Sequence, residues 1–288
     1  MRDLRATDLN ISSAEMTAYW RSKYPHLSGD KLSIKLASDA GIHKAYEFEE
    51  KYNYPLVGRK VSVRAGFFLK QAVDLLLTQK FDACISFASG FSLLNYSIAM
   101  AVQKTMPNVV MIDTDLPSII NERLLRIEKI SDDLRQDILS RLKCKIFDLE
   151  EAASNGSSLK ELFPECHSPI FIIEGVIYFL SQQCVDWIFS EISKFPNAAV
   201  IVDYWPEDGI QESECFSRVV QSLKGFIPEN IKSFLDQESL GRLYQNFHSV
   251  NDVSIQYVEH QYSIWCDESP QFTDQNQFFP VRFLVAQK

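Results

Sequence analysis

Short apolar runs that alternate with helix-like segments constrain the fold of this 288-residue chain more than any other feature. The strand-like runs cover residues 82–88, 108–115, 144–149, 169–180 and 197–205. Because they show little polar–apolar alternation, they predict strands of a parallel sheet that is covered on both faces. Helical spacing of apolar residues between them predicts an α/β fold with a doubly wound, mostly parallel sheet.

Helix-like sequence flanks this alternating region on both sides. Residues 13–52 and 63–77 carry apolar side chains at three- and four-residue intervals, and polar helix-like segments follow Pro206. Two late stretches, 253–265 and 278–288, look like strands. We expect one domain over residues 1–288, in which 13–52 and 206–250 form a helical cap that faces the substrate.

Charge and composition exclude several classes of partner. Lys and Arg total 29 against 38 Asp and Glu, and no basic block is present, so nucleic acid is not expected. The most apolar run, 170–180, is too short to span a membrane and contains Glu174. The six cysteines show no metal-site spacing, so we expect no bound metal and no disulfide framework. We expect a cytoplasmic protein without membrane contacts.

Four predicted strand ends carry a glycine turn or an acidic side chain. Ligands of an open parallel sheet bind beyond the carboxyl ends of the strands, so these ends form the predicted site. They are Ala88-Ser89-Gly90, Asp113-Thr114-Asp115, Asp148-Leu149 and the stretch from Glu174 to Tyr178.

The first two ends each allow a structural alternative. Gly90 either lets the backbone approach a ligand or only turns the chain. Asp113 and Asp115 follow about twenty residues later, where an acid can accept the ribose hydroxyls of an adenosine; one of them could instead cap the helix after Pro117. The missing GxGxxG pattern argues against a nicotinamide dinucleotide.

The fourth end combines a carboxylate with an aromatic side chain. Glu174 lies in apolar sequence, where a carboxylate is costly unless it is paired, so it forms a structural salt bridge or faces a ligand. Tyr178 could wall the ligand site and orient an acceptor oxygen, or it could pack with Phe179 in the core.

Taken in order, these stretches resemble the leucine carboxyl methyltransferase family of class I S-adenosylmethionine-dependent methyltransferases, which includes bacterial polyketide O-methyltransferases. The likeness runs from about Ser33 to Trp205. It is carried by "RAGFFLKQAVDLL", "FASG", "IDTDLP", "FDL" and "IIEGVIYFL". The resemblance implies a Rossmann-like sheet of seven strands and S-adenosylmethionine as cofactor.

The same resemblance implies roles for individual residues. Arg64 would grip the methionyl carboxylate of the cofactor, with Lys35 helping at the same end. Asp115 would bind the ribose with Asp113 beside it, and Asp148 and Leu149 would border the adenine. Glu174 would lie along the methionine portion, near the catalytic residue Tyr178. Ala88 replaces the first glycine of the family's turn and leaves Gly90; alanine costs nothing there if its φ is negative.

The implied activity is methyl transfer to an oxygen. A carboxylate acceptor, on a small molecule or a protein carboxyl terminus, needs no general base, whereas a hydroxyl acceptor benefits from one. A lone histidine is more often structural, so none is assigned. The alternative is a methyltransferase-like binding module with weakened catalysis, which the degenerate "FASG" turn favours.

Overall fold

A seven-stranded sheet organises the chain in the computed structural model, which describes residues 4–52, 54, 56–78, 81–206, 232, 235, 237–272 and 281–288. Its order is β3-β2-β1-β4-β5-β7-β6. Strands β1 to β5 pair in parallel, and β7 runs antiparallel to both β5 and β6. The predicted doubly wound, mostly parallel sheet is confirmed. The strands are β1 Ala83–Phe87, β2 Val110–Asp115, β3 Leu142–Ile146, β4 Pro169–Ile173, β5 Ala199–Tyr204, β6 Ser249–Ser254 and β7 Arg282–Gln287.

Helices precede the sheet and connect its strands. The described α-helices are α1 Leu4–Lys23, α2 Pro25–Ser28, α3 Asp39–Lys51, α4 Val57–Thr78, α5 Leu94–Val102, α6 Pro117–Ile127, α7 Asp132–Arg141, α8 Leu149–Ser154, α9 Leu159–Leu162, α10 Gln182–Ser193, α11 Gln237–Asn246 and α12 Ile255–Trp265. Two 3-10 turns cover Ser33–Leu36 and Ile177–Phe179. None of these helices combines the length and the apolar character that a membrane crossing requires.

The three central strands form the core. Every residue of β1, β4 and β5 is buried, as expected for strands covered by helices on both faces. On one face the ring of Phe87 lies 5.6 Å from Phe171 and 5.8 Å from Phe147. Elsewhere Phe67 of α4 stacks on Phe283 of β7 at 4.5 Å, so the predicted apolar face of this helix packs on the sheet.

The chain reverses its direction across the sheet between β1 and β4. From β1 the order proceeds through β2 and β3 to one edge, and β4 then lies on the other side of β1. Such a switch point leaves a crevice beyond the carboxyl ends of the two strands. The strand ends selected from the sequence therefore meet near one place.

The two predicted cap segments have different outcomes. Residues 13–52 fold as helices α1 to α3 with the first 3-10 turn, and their role as a substrate-facing cap stays a prediction. Most of 206–250 lies outside the described residues, and its described part includes α11 and the start of β6.

The strand predicted at 253–265 is wrong beyond Ser254. Helix α12 begins there because the Ser254 side chain accepts a hydrogen bond from the Tyr257 amide at 3.3 Å. Ile255, Val258 and Tyr262 then share one buried helical face, a spacing that the aromatic, β-branched composition of the stretch conceals.

The turn between β1 and α5 contains two residues in the left-handed region. Ala88 has a φ of 49° and Gly90 a φ of 56°. Glycine adopts this conformation without strain, whereas an L-residue pays for the crowding of its Cβ. The condition under which alanine would cost nothing, a negative φ, is therefore not met.

Replacing Ala88 by glycine should stabilise the protein. The left-handed conformation costs an L-residue about 1–2 kcal/mol, and glycine removes this cost. Glycine also gives the unfolded chain more conformational freedom, which lowers stability by about 0.4–1 kcal/mol. We expect Ala88→Gly to raise the free energy of unfolding in urea by about 0.5–1 kcal/mol. The matched control is Ala37→Gly, where φ is −88°, and this change should lower stability. A destabilised Ala88→Gly variant would contradict the assigned strain.

Candidate functional site

A cavity of about 330 Å³ opens at the switch point of the sheet. This volume lies at the lower end of the range for small-molecule sites. The ends of β1, β2, β3, β4 and β5 form one side of it, and helices α1 and α4 supply the opposite wall. Eight of the ten predicted site residues line this cavity: Arg64, Ala88, Gly90, Asp115, Asp148, Leu149, Glu174 and Tyr178.

Asp115 is buried at the end of β2 and lines the cavity. Its two carboxylate oxygens accept hydrogen bonds from the backbone amides of Gly90 and Leu116, both at 2.7 Å. It therefore joins the β1 turn to the β2 end and does not cap α6, which begins at Pro117 without a side-chain cap. Burial raises the pKa of Asp115 to about 6, although the two amides act in the opposite direction.

The end of β3 leads directly into a helix start. Asp148 is the N-cap of α8, and its Oδ1 accepts from the amides of Glu150 at 3.1 Å and Glu151 at 3.2 Å. Phe147, Asp148 and Leu149 line the same cavity. This end therefore offers an apolar surface beside a carboxylate whose orientation is fixed.

Glu174 follows β4 and is held between two arginines. Its oxygens accept from Nη1 of Arg21 at 2.7 and 2.8 Å, and Oε1 accepts from Nε of Arg64 at 3.1 Å. Burial alone would raise the pKa of Glu174, but the charges of Arg21 and Arg64 hold it below its usual value. Glu174 therefore combines its two predicted roles, because the carboxylate forms salt bridges and also lines the cavity.

Arg21 of α1 belongs to the site although the sequence did not reveal it. Its Nε donates to Asp30 at 3.0 Å, while its buried Nη2 has no hydrogen-bond partner among the described residues. Lys35, the residue expected to assist Arg64, is exposed on the first 3-10 turn and does not line the cavity. Arg21 reaches the site because α1 packs across α4, a tertiary contact that local sequence does not encode.

A close backbone approach fixes Arg64. Gly175 has a φ of 71°, and a Cβ placed on it would lie 2.9 Å from Nη1 of Arg64. The Gly175 amide donates to Asp203 at 2.5 Å, and Asp203 lies 3.5 Å from the same Nη1. Only glycine satisfies both the backbone conformation and the space that the guanidinium needs.

Asp113 lies away from the cavity that was predicted to receive it. It is 1% exposed and forms a close ion pair with Arg123 of α6, while Asn95 donates to its Oδ1 at 2.8 Å. Nη1 of Arg123 also donates to the carbonyl of Gly90 at 3.0 Å and to Oγ of Ser89 at 3.1 Å. Asp113 thus supports the β1 turn from behind through Arg123.

Tyr178 combines the two arrangements considered for it. Its ring stacks on Trp205 at 4.0 Å with an interplanar angle of 7° and meets Phe179 edge-on at 4.7 Å. Tyr178 also lines the cavity, and its hydroxyl lies 3.4 Å from Nη1 of Arg64. Burial raises the pKa of the Tyr178 phenol, so this group stays protonated at neutral pH.

Comparison with known proteins identifies the architecture. No family model matches the sequence, and no curated protein is significantly similar to it. A protein assigned as a methyltransferase from Thermobifida fusca superimposes with a TM-score of 0.59 at 12% identity, over 96% of this chain and 94% of its own. A DUF574 family protein from Streptomyces avermitilis gives 0.57 at 9% identity, over 96% and 97%.

A third neighbour is longer. An O-methyltransferase family protein from Burkholderia thailandensis gives a TM-score of 0.48 at 10% identity, and the match spans 90% of this chain but 63% of that one. At these identities the likeness concerns the fold alone. The chain has the α/β fold of class I methyltransferases.

Proposed function

We propose that this protein is an S-adenosylmethionine-dependent O-methyltransferase that prefers a carboxylate acceptor, on a small molecule or a protein carboxyl terminus. The observation that carries the proposal is the order of groups around one cavity. Asp115 and the Phe147–Leu149 segment lie at the ends of β2 and β3, and the Arg21–Glu174–Arg64 cluster lies beyond β4. This order matches the adenosine and methionine portions of the cofactor.

The adenosine portion fits the β1 to β3 ends. Asp115 can accept the ribose hydroxyls once it is ionised, since a carboxylate offers more acceptor positions than its two backbone amides occupy. Leu149 and Phe147 supply the apolar surface that a purine needs, beside the fixed carboxylate of Asp148. Ala88 and Gly90 let the backbone approach the ligand.

The methionine portion fits the arginine cluster. Arg21 presents an unpartnered Nη2 within the described site, and the described hydrogen bonds of Arg64 use only Nε and Nη1. Arg21 and Arg64 both line the cavity, and a ligand carboxylate could form charge-assisted hydrogen bonds with their guanidinium groups. Arg21 therefore takes the role that the resemblance gave to Lys35, and Glu174 orients both guanidinium groups.

The titratable groups of the cavity favour a carboxylate acceptor. No histidine occurs among the described residues that line it, the Tyr178 phenol stays protonated, and the Glu174 carboxylate stays ion-paired. The acid with a pKa of about 6, Asp115, belongs to the ribose end. Among the described lining residues, Asp148 and Glu150 are carboxylates that already accept hydrogen bonds within the protein, so a hydroxyl acceptor would find no unengaged base there. A carboxylate is already a nucleophile at neutral pH.

The bound cofactor would supply an activated methyl group, and the residues of this chain align the acceptor and exclude water. Tyr178 and Trp205 form a rigid aromatic wall next to Arg64, where water would otherwise enter. The protonated Tyr178 hydroxyl can donate a hydrogen bond to an acceptor oxygen. We therefore assign Tyr178 an orienting role, not that of a base.

A non-catalytic binding module with the same fold is the second candidate. Ala88 favours it, because it replaces the first glycine of the family's turn with a residue that adopts a positive φ only at a cost. The ionic cluster around Glu174 opposes it, since Arg21, Glu174 and Arg64 all line the cavity and a module without a cofactor has no use for two guanidinium groups there.

Arg64→Ala and Lys35→Ala should differ in their affinity for S-adenosylmethionine. Removing Arg64 deletes a charge-assisted contact worth about 1.5–3 kcal/mol, so the dissociation constant of S-adenosylmethionine should rise about 10- to 150-fold. Lys35 is the matched cation outside the cavity, and its removal should leave affinity within about twofold. Equilibrium dialysis with labelled cofactor measures both, with melting temperatures to verify folding. Loss of affinity in Lys35→Ala alone would overturn the assignment.

Cofactor affinity should depend on pH through Asp115. Its raised pKa of about 6 means that the free protein holds a proton there at pH 5, and this proton must leave before the carboxylate can accept two ribose hydroxyls. Affinity should fall nearly tenfold per pH unit below pH 6 and stay level above pH 7.

The stability of the free protein should change in the opposite sense. Because the folded pKa exceeds the unfolded one, the contribution of Asp115 to stability is lost as pH rises toward 6.

Asp115→Asn should bind the cofactor weakly and abolish the pH dependence of affinity between pH 5 and 7. A slope that persists in Asp115→Asn would assign the titration to another group.

A further inference from the structure

Arg21 has a second carboxylate partner besides Glu174. Its Nη1 donates to Glu174, whereas its Nε donates to Oδ2 of Asp30 at 3.0 Å. Contacts on two different nitrogens fix both the position and the plane of a guanidinium group, because the group is flat and its donors have fixed directions. Arg21 lines the cavity and Asp30 does not, so Asp30 can influence a ligand only indirectly.

The Asp30 carboxylate is itself held by the segment that follows α2. Its Oδ1 accepts from the amides of Leu32 at 3.0 Å and Ser33 at 2.9 Å, and its Oδ2 accepts from the Ser33 hydroxyl at 2.5 Å. Burial alone would raise the pKa of Asp30, but the charge of Arg21 and the hydrogen bonds from Ser33 hold the pKa below its usual value. Asp30 therefore stays ionised at neutral pH and presents a fixed negative charge to Arg21.

Ser33 connects this ion pair to the turn after β1. Its hydroxyl gives its one hydrogen to Asp30, and its oxygen accepts from the amide of Leu93 at 2.9 Å. Leu93 immediately precedes α5 and ends the turn that contains Gly90, which lines the cavity. A continuous chain of hydrogen bonds thus runs from the β1 turn through Ser33 and Asp30 to Arg21.

We propose that Asp30 is a positioning residue for cofactor binding, which fixes the Arg21 guanidinium toward the methionine portion of the ligand while Ser33 ties that guanidinium to the β1 turn. This proposal rests on the proposed function and deepens it. The cofactor joins a methionine portion to an adenosine portion, and a site binds such a ligand more tightly when both ends are preorganised. Because Asp30 acts through Arg21, its loss should weaken contacts to the methionine portion and spare those to the adenosine.

Two ligands that differ in the amino-acid portion test this proposal. S-adenosylhomocysteine carries the whole amino-acid group, whereas methylthioadenosine keeps the adenosine and the sulfur and lacks that group. Calorimetric titration of the full chain gives the dissociation constant of each. Asp30→Asn keeps the shape of the side chain and removes the charge that holds Arg21. The dissociation constant of S-adenosylhomocysteine should therefore rise about tenfold or more, and that of methylthioadenosine should change less than about threefold.

A control variant separates this role from the general packing of α1. Glu49 also holds this helix, because it accepts from Nε1 of Trp20 at 2.9 Å and from Nζ of Lys23 at 2.7 Å, but no described hydrogen bond joins it to Arg21. Glu49→Gln should leave the ratio of the two dissociation constants unchanged.

Ser33→Ala is a milder test of the same chain of hydrogen bonds. It leaves Asp30 charged and removes one of its hydrogen bonds, so the affinity for S-adenosylhomocysteine should fall about two- to tenfold relative to methylthioadenosine.

The ratio of the two dissociation constants decides the outcome. An unchanged ratio in folded Asp30→Asn would overturn the proposal, as would an equal shift of the ratio in Glu49→Gln. If Asp30→Asn does not fold, an unchanged ratio in Ser33→Ala overturns it instead. A folded wild-type chain that binds neither compound would overturn the proposed function.

Discussion

The double ion pair of Glu174 with Arg21 and Arg64 is the interaction on which the rest of the site depends. It joins the end of β4 to α1 and α4, so the helical wall of the cavity is tied to the sheet through one carboxylate. Removing one partner from a buried ion pair costs about 3–5 kcal/mol, because the remaining charge is left uncompensated. The cluster therefore sets the position of both guanidinium groups before any ligand arrives.

The same principle separates two aspartates that stand two residues apart on β2. Asp113 is neutralised from behind the turn by Arg123, which also holds the Gly90 carbonyl, whereas Asp115 meets only backbone amides and faces the cavity. Burial raises the pKa of Asp115, and its position at the cavity leaves it available to a ligand. Asp113 thus stabilises the turn, and Asp115 can bind a ligand there.

Much of the sheet could be predicted from sequence because its buried parallel strands are short, continuous apolar runs that alternate with helical segments. Residues of the site were harder to predict where their position depends on tertiary contacts. Asp115, Asp148 and Glu174 follow directly from strand ends, but Arg21 enters from a helix more than 150 residues away from Glu174. The positive φ of Ala88 and the helix at Ile255–Trp265 were missed because composition favoured the ordinary conformation.

Calorimetric titration of the wild-type chain with S-adenosylmethionine at pH 7.5 tests the central claim most directly. If the β2 acid and the arginine cluster form one cofactor site, binding should saturate at one molecule per chain. S-adenosylhomocysteine should then compete for the same site, since it keeps the ribose and the carboxylate. A folded protein that gives no saturable heat with either compound would contradict the account.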